Sequence, residues 1–211
     1  MTSFGNLILF LGTVATVSLT GVMMPGPVTA IAITKGAQQK AAGALIAVGH
    51  GMVELAVIAL IYLGFARFLV IPEVKISVGL AGGVVLIWMA VHIFRTKPTF
   101  FDEHKKSSQN SVIAGLVTTA ANPYFFLWWA TVGVVLIANS RIFGSMGVVT
   151  LGVTHWLCDL GWLYFLSWLV FRSKQAWTER VHRLVFGACA VVLVGFGAWF
   201  IFSSVSLAII S

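Results

Sequence analysis

Six mostly apolar stretches divide this chain, at about residues 4–33, 41–66, 71–94, 111–138, 145–171 and 184–207. Each is as long as the roughly 20 residues a helix needs to cross the hydrocarbon core of a bilayer. Water offers no way to hide six such helices. Charged residues make up 9% of the chain and hydrophobic ones 59%, whereas a soluble domain carries about a quarter charged residues to wet its surface. A soluble enzyme, a disordered regulator and a secreted disulfide scaffold are therefore excluded together. The expected fold is an all-α membrane protein with six transmembrane helices.

The chain has 13 Lys and Arg against 6 Asp and Glu. Nucleic-acid binding would need a basic patch with stacking aromatics on a soluble fold, but here the bases stand in short islands between apolar runs. They read as topology signals, since short loops rich in Lys and Arg stay in the cytoplasm. Ten fall on one side of a six-span arrangement: Lys35, Lys40, Arg95, Lys97, Lys105, Lys106, Arg172, Lys174, Arg180 and Arg183. Arg67, Lys75 and Arg141 fall on the other. Both termini are thus expected outside, in the inner or plasma membrane. Five spans with one re-entrant loop is the alternative, because the first stretch is long and broken. No base precedes Lys35, so the first stretch lacks the charged start of a cleaved signal peptide and is expected to remain. Cys158 and Cys189 lie in apolar runs as small filler.

The polar stretch 97–110 separates two halves, 1–96 and 111–211, with three spans each. An odd number of spans inverts the second half relative to the first. The second span carries His50 and Glu54, and the fifth carries His155 and Asp159. The offsets 155 − 50 and 159 − 54 are both 105. Proline marks both halves as well, at Pro25-Gly26-Pro27 in the first span and Asn122-Pro123 in the fourth.

These features point to a transport site. Proline lacks an N–H and opens the helix one turn upstream, and freed backbone groups in a membrane must line a protein cavity. A half-helix starting after Pro27 would turn its positive end toward such a cavity and receive a carboxylate, with the Asn122 amide at the second break. Packing kinks are the plainer reading of either proline site alone. Glu54 and Asp159 are the only acids well inside the spans, where a charge costs about 2.5–3.5 kcal/mol on insertion scales. Each shares a helix face with the histidine four residues before it. Binding a cation or proton is one role for them; pairing with their own histidines to hold the bundle is the other. Trp162, seven residues after His155, shares that face. Gly43, Ala47 and Gly51, and Gly79 and Gly83, recur every fourth residue and allow close helix packing. Walker, GxSxG and HExxH motifs are absent from the sequence, which leaves neither an ATP engine nor an obvious hydrolase.

The stretch Pro25 to Gly51, PGPVTAIAITKGAQQKAAGALIAVGHG, together with Asn122-Pro123, resembles the LysE/RhtB-type amino-acid exporters. The resemblance implies proton-linked secondary export of amino acids from the cytoplasm, with Pro25, Gly26, Pro27, Asn122 and Pro123 at the substrate site. Members often read Asn-Pro-Lys at the second motif, where this chain has Tyr124 after Pro123. The wider superfamily also includes cation exporters that use intramembrane acids.

The expectation is an exporter, not an enzyme, with no cofactor. Its partners are an amino acid (lysine or arginine favoured), protons and the lipid bilayer, with no nucleic acid; a homodimer is compatible with the sequence. Glu54 and Asp159 would meet the cationic groups or carry the proton, tuned by His50 and His155. A divalent-metal exporter using His50, Glu54, His155 and Asp159 is the alternative. A metal site would bring these four donors to one point. An amino-acid site should leave both pairs facing a shared cavity, not collapsed onto one point, with room for a zwitterion between the acids and the helix starts near Pro27 and Pro123.

Overall fold

A computed structural model describes residues 3–24, 26–95, 110–176 and 178–210. Among them every regular element is helical: α1 (Ser3–Val22), α2 (Pro27–Gly36), α3 (Ala42–Tyr62), α4 (Pro72–Arg95), α5 (Ser111–Ala120), α6 (Pro123–Trp128), α7 (Val134–Ser140), α8 (Gly144–Ser173) and α9 (Glu179–Ile210). A π-helical turn, Trp129–Gly133, joins α6 to α7. The linker expected at 97–110 lies outside the described residues except for Asn110.

Proline sets three of the helix starts. Pro27, Pro72 and Pro123 are each the first residue of their helix, where a fixed φ is helical and the missing N–H would have no partner anyway. The first apolar stretch is accordingly two helices, α1 and α2, bent by 77°. The stretch 111–138 is also divided, into a 10-residue α5 and the α6–α7 arm. By length and apolar content four stretches can cross a membrane alone, and the bent α1–α2 pair makes a fifth. One of the four, Pro123–Ala176, has 54 residues, about 80 Å of helix at 1.5 Å per residue and far more than one crossing. It is interrupted at Arg141–Phe143 and at Gly144, whose φ of 69° suits glycine. The protein is a multi-pass membrane protein.

Its surface is apolar and its interior partly polar. Leu55, Val149, Val191 and Phe202 are all exposed on the outside, which suits lipid. Ser18, Thr118, Thr119, Ser140 and Ser167 are fully buried, and so is Glu54. The hydroxyls find partners: Ser140 donates to the Ile137 carbonyl at 2.7 Å, and Ser167 to the Lys40 carbonyl at 2.9 Å.

Small residues bring the central helices together. α3 and α8 run antiparallel, with Gly43 against the Leu163 carbonyl, Gly51 against the Trp156 indole and Gly152 near Ile58. The Trp156 indole N–H donates to the Ala47 carbonyl at 2.9 Å. A Cβ on Gly51 would sit 2.5 Å from that indole nitrogen. α4 and α9 also run antiparallel, with Gly79 against Ser204 and Gly83 against Gly197. Gly49 and Gly115 do the same for α3 and α5, each against a carbonyl of the other helix.

Candidate functional site

The intramembrane histidines and acids meet at the centre of the bundle. His50 and Glu54 come from α3, His155 and Asp159 from α8, and all four are buried. The shortest contact is not within either helix: His155 Nε2 lies 2.9 Å from Glu54 Oε1. His50 Nε2 reaches Asp159 Oδ2 at 3.7 Å, and the contacts four residues apart are 3.9 Å for His50–Glu54 and 3.5 Å for His155–Asp159. The two pairs interlock across the helices while His50, His155 and Asp159 still face one shared cavity. Close packing of α3 on α8 interlocks them. Glu54 Oε1 and Asp159 Oδ2 are both buried, with imidazole nitrogens as close polar neighbours.

Each imidazole is held from behind by the other half of the chain. His50 Nδ1 lies 2.9 Å from Thr119 Oγ1 on α5, and His155 Nδ1 lies 2.7 Å from Ser18 Oγ on α1. Aromatic rings fix the remaining faces. Phe125 stands edge-on to His50 at 5.3 Å, while Trp128 and Trp129 flank His155 at 4.9 and 5.1 Å.

A cavity of about 100 Å³ opens onto this cluster, with His50, His155 and Asp159 in its wall. Gly26, Pro27 and Asn122 also line it, so both breaks reach the same space as the ionisable groups. Glu54 lies behind the wall. The start of α2 has no side-chain cap. Val28 and Thr29 both face the cavity. The start of α6 differs: the Asn122 side chain accepts from the Tyr124 N–H at 3.1 Å and caps its own helix.

The remaining expected site residues fall elsewhere. Pro25 lies outside the described residues. Pro123 borders a different, apolar cavity of about 310 Å³ with Lys75, Tyr124 and Phe200. Trp162 is not among the residues lining the central cavity; it packs on the core with its indole N–H buried and unpartnered among the described residues. The cavity tryptophans are Trp128 and Trp129, next to or within the π turn. Shifting that turn, residues 129–133, back by the 105-residue offset lands on 24–28, the α1–α2 junction.

A family model described as LysE type translocator matches residues 19–204. The chain belongs to the LysE type translocator family. Neither a curated protein nor a solved structure matches it. Membership makes the chain a membrane transporter of amino acids or related compounds, from a family of transporters rather than enzymes.

Proposed function

We propose that this translocator exports an amino acid across the cytoplasmic membrane in exchange for protons, with a cationic side chain, lysine or arginine, as the preferred cargo. One observation carries the reading: the uncapped start of α2 and the Asp159 carboxylate line the same cavity. The Val28 and Thr29 amides and the helix dipole receive the substrate carboxylate. Asp159 meets the cationic end. Glu54, enclosed behind it against His155, takes the exchanged proton. The Asn122 side-chain amide, whose oxygen is engaged by Tyr124 N–H, offers its NH₂ donors to the same space.

The chain crosses six times as two inverted three-helix repeats, 1–96 and 111–211, joined by a cytoplasmic linker at 97–110, with both termini outside. The antiparallel pairing of α3 with α8 and of α4 with α9 supports this, because inversion reverses each helix relative to its counterpart. So do the ten bases that then face the cytoplasm. Cysteines at Ser3 and Ser108 are expected to react with an impermeant reagent from opposite sides; reaction from one side only would defeat the six-crossing arrangement.

Flux in proteoliposomes tests the cargo. Labelled lysine is expected to move faster than a neutral amino acid, with an imposed pH gradient driving it, and divalent metal is expected not to move. Metal flux without amino-acid flux would overturn the reading.

A further inference from the structure

We infer that His155 is the proton relay of this transporter: a proton that reaches or leaves Glu54 passes through its Nε2 atom. This rests on the proton role proposed for Glu54 and supplies what that role lacks, a way in. Glu54 is 0% exposed and is not among the residues lining the central cavity, whereas His155 and Asp159 are. A proton coming from the cavity therefore needs an intermediate group that reaches both sides.

Two imidazoles adjoin the acids, and they differ in reach. Direct transfer needs donor and acceptor about 2.6–3.2 Å apart. His155 Nε2 is 2.9 Å from Glu54 Oε1 and 3.5 Å from Asp159 Oδ2. Glu54 is thus in range, and a shift of about 0.3 Å brings Asp159 into it as well. His50 Nε2 is 3.9 Å and 3.7 Å from the same two oxygens, out of range of both. Around the His155 ring, α3 presents Glu54 and its own helix presents Asp159. α1 presents the Ser18 hydroxyl, 2.7 Å from Nδ1, and the flanking Trp128 and Trp129 bring no ionisable group.

The transfer balances on Nε2 alone. In the neutral ring that carries its proton on Nδ1 and donates it to Ser18 Oγ, the Nε2 lone pair is free to accept. Asp159 in its acid form breaks its O–H bond as the Nε2–H bond forms, which gives a carboxylate beside an imidazolium. The Nε2–H bond then breaks toward Glu54 Oε1, leaving Glu54 a neutral acid and the ring as it began. One proton has moved from Asp159 to Glu54. The same Asp159 carboxylate receives the cation of the cargo, so bound cargo interrupts the relay. Proton and cargo alternate at that residue, as exchange requires.

The test needs no cargo. Full-length protein in detergent is given a light-released acid jump, and the infrared carbonyl band of newly protonated carboxyl groups is followed in time. The Glu54 signal is the part of that band missing in Glu54→Gln. His155→Gln is expected to slow it about 100-fold or more, the usual contribution of a general acid–base group, and His50→Gln to slow it far less. Should His155→Gln fail to fold, Ser18→Ala and Thr119→Val make the same comparison by freeing one ring at a time, with the slower signal expected in Ser18→Ala. A wild-type rate in folded His155→Gln, equal slowing in the two glutamine variants, or equal rates in the two hydroxyl variants would each overturn the relay alone. A wild-type protein without a Glu54 signal would defeat the proton role of Glu54 and the relay with it. Lysine flux in proteoliposomes reports separately on the cargo.

Discussion

The two proline breaks look alike in sequence and do opposite things. Both place proline at the first position of a new helix, and both reach the central cavity. At α6 the preceding Asn122 turns its side chain back onto the Tyr124 N–H, so the helix end is satisfied from within. At α2 the preceding residue is Gly26, which has no side chain to do this. A break with its own cap is a structural joint. One without a cap leaves positive helix-end donors to whatever enters the cavity, and a single side chain makes the difference.

The largest expected effect lies where both breaks lead. Glu54→Gln and Asp159→Asn are expected to abolish transport while the protein still inserts and stays monodisperse, measured as flux beside size-exclusion profiles. Full activity in either would remove that acid from the transport step. Next, Gly26→Asn gives the first break the cap of the second. The backbone there is extended, and an added Cβ meets nothing closer than the Met24 carbonyl at 3.9 Å. Hydrogen bonds to a charged group are worth about 1.5–3 kcal/mol, so KM for export should rise about tenfold or more with thermal stability unchanged or slightly higher. An unchanged KM would make the first break a joint like the second.

The reverse change is smaller. Asn122→Ala removes a cap worth about 1 kcal/mol, lowering Tm by about 2–4 °C in a chain of this length. The smallest effect belongs to Asn122→Asp, which keeps a capping oxygen and should leave Tm within about a degree of wild type, as the near-equal capping strength of the two residues requires. A large loss in that variant would point to the amide NH₂ of Asn122 as the group that matters.

Much of this was legible in the chain because membrane crossing writes itself as length and apolar run. The His-x-x-x-acid spacing and its 105-residue repeat brought the right four groups forward. Their pairing was not legible. Spacing along a helix suggests His50 with Glu54 and His155 with Asp159, yet the closest pair is His155 with Glu54, set by how near α3 and α8 approach. Ser18 and Thr119 carried no local signal, since their contacts to His155 and His50 span 137 and 69 positions. Trp162 was chosen by α-helical periodicity from His155, whereas the cavity takes Trp128 and Trp129 from another helix, beside a π turn that periodicity does not anticipate. Asn before Pro is an ordinary helix-start signal, and the Asn122 oxygen does cap its own helix.

The Trp156 indole seated against Gly51 has a mechanical consequence. Its N–H is bonded to the Ala47 carbonyl, and the bare glycine beneath admits the ring. Sliding α3 along α8 by one turn, about 5.4 Å, would drive the ring into side chains and break that bond. The pair therefore behaves as a keyed axle that resists axial slip. Motion that admits or releases cargo then falls to helices outside this pair, such as α1 and α2, which meet at 77°.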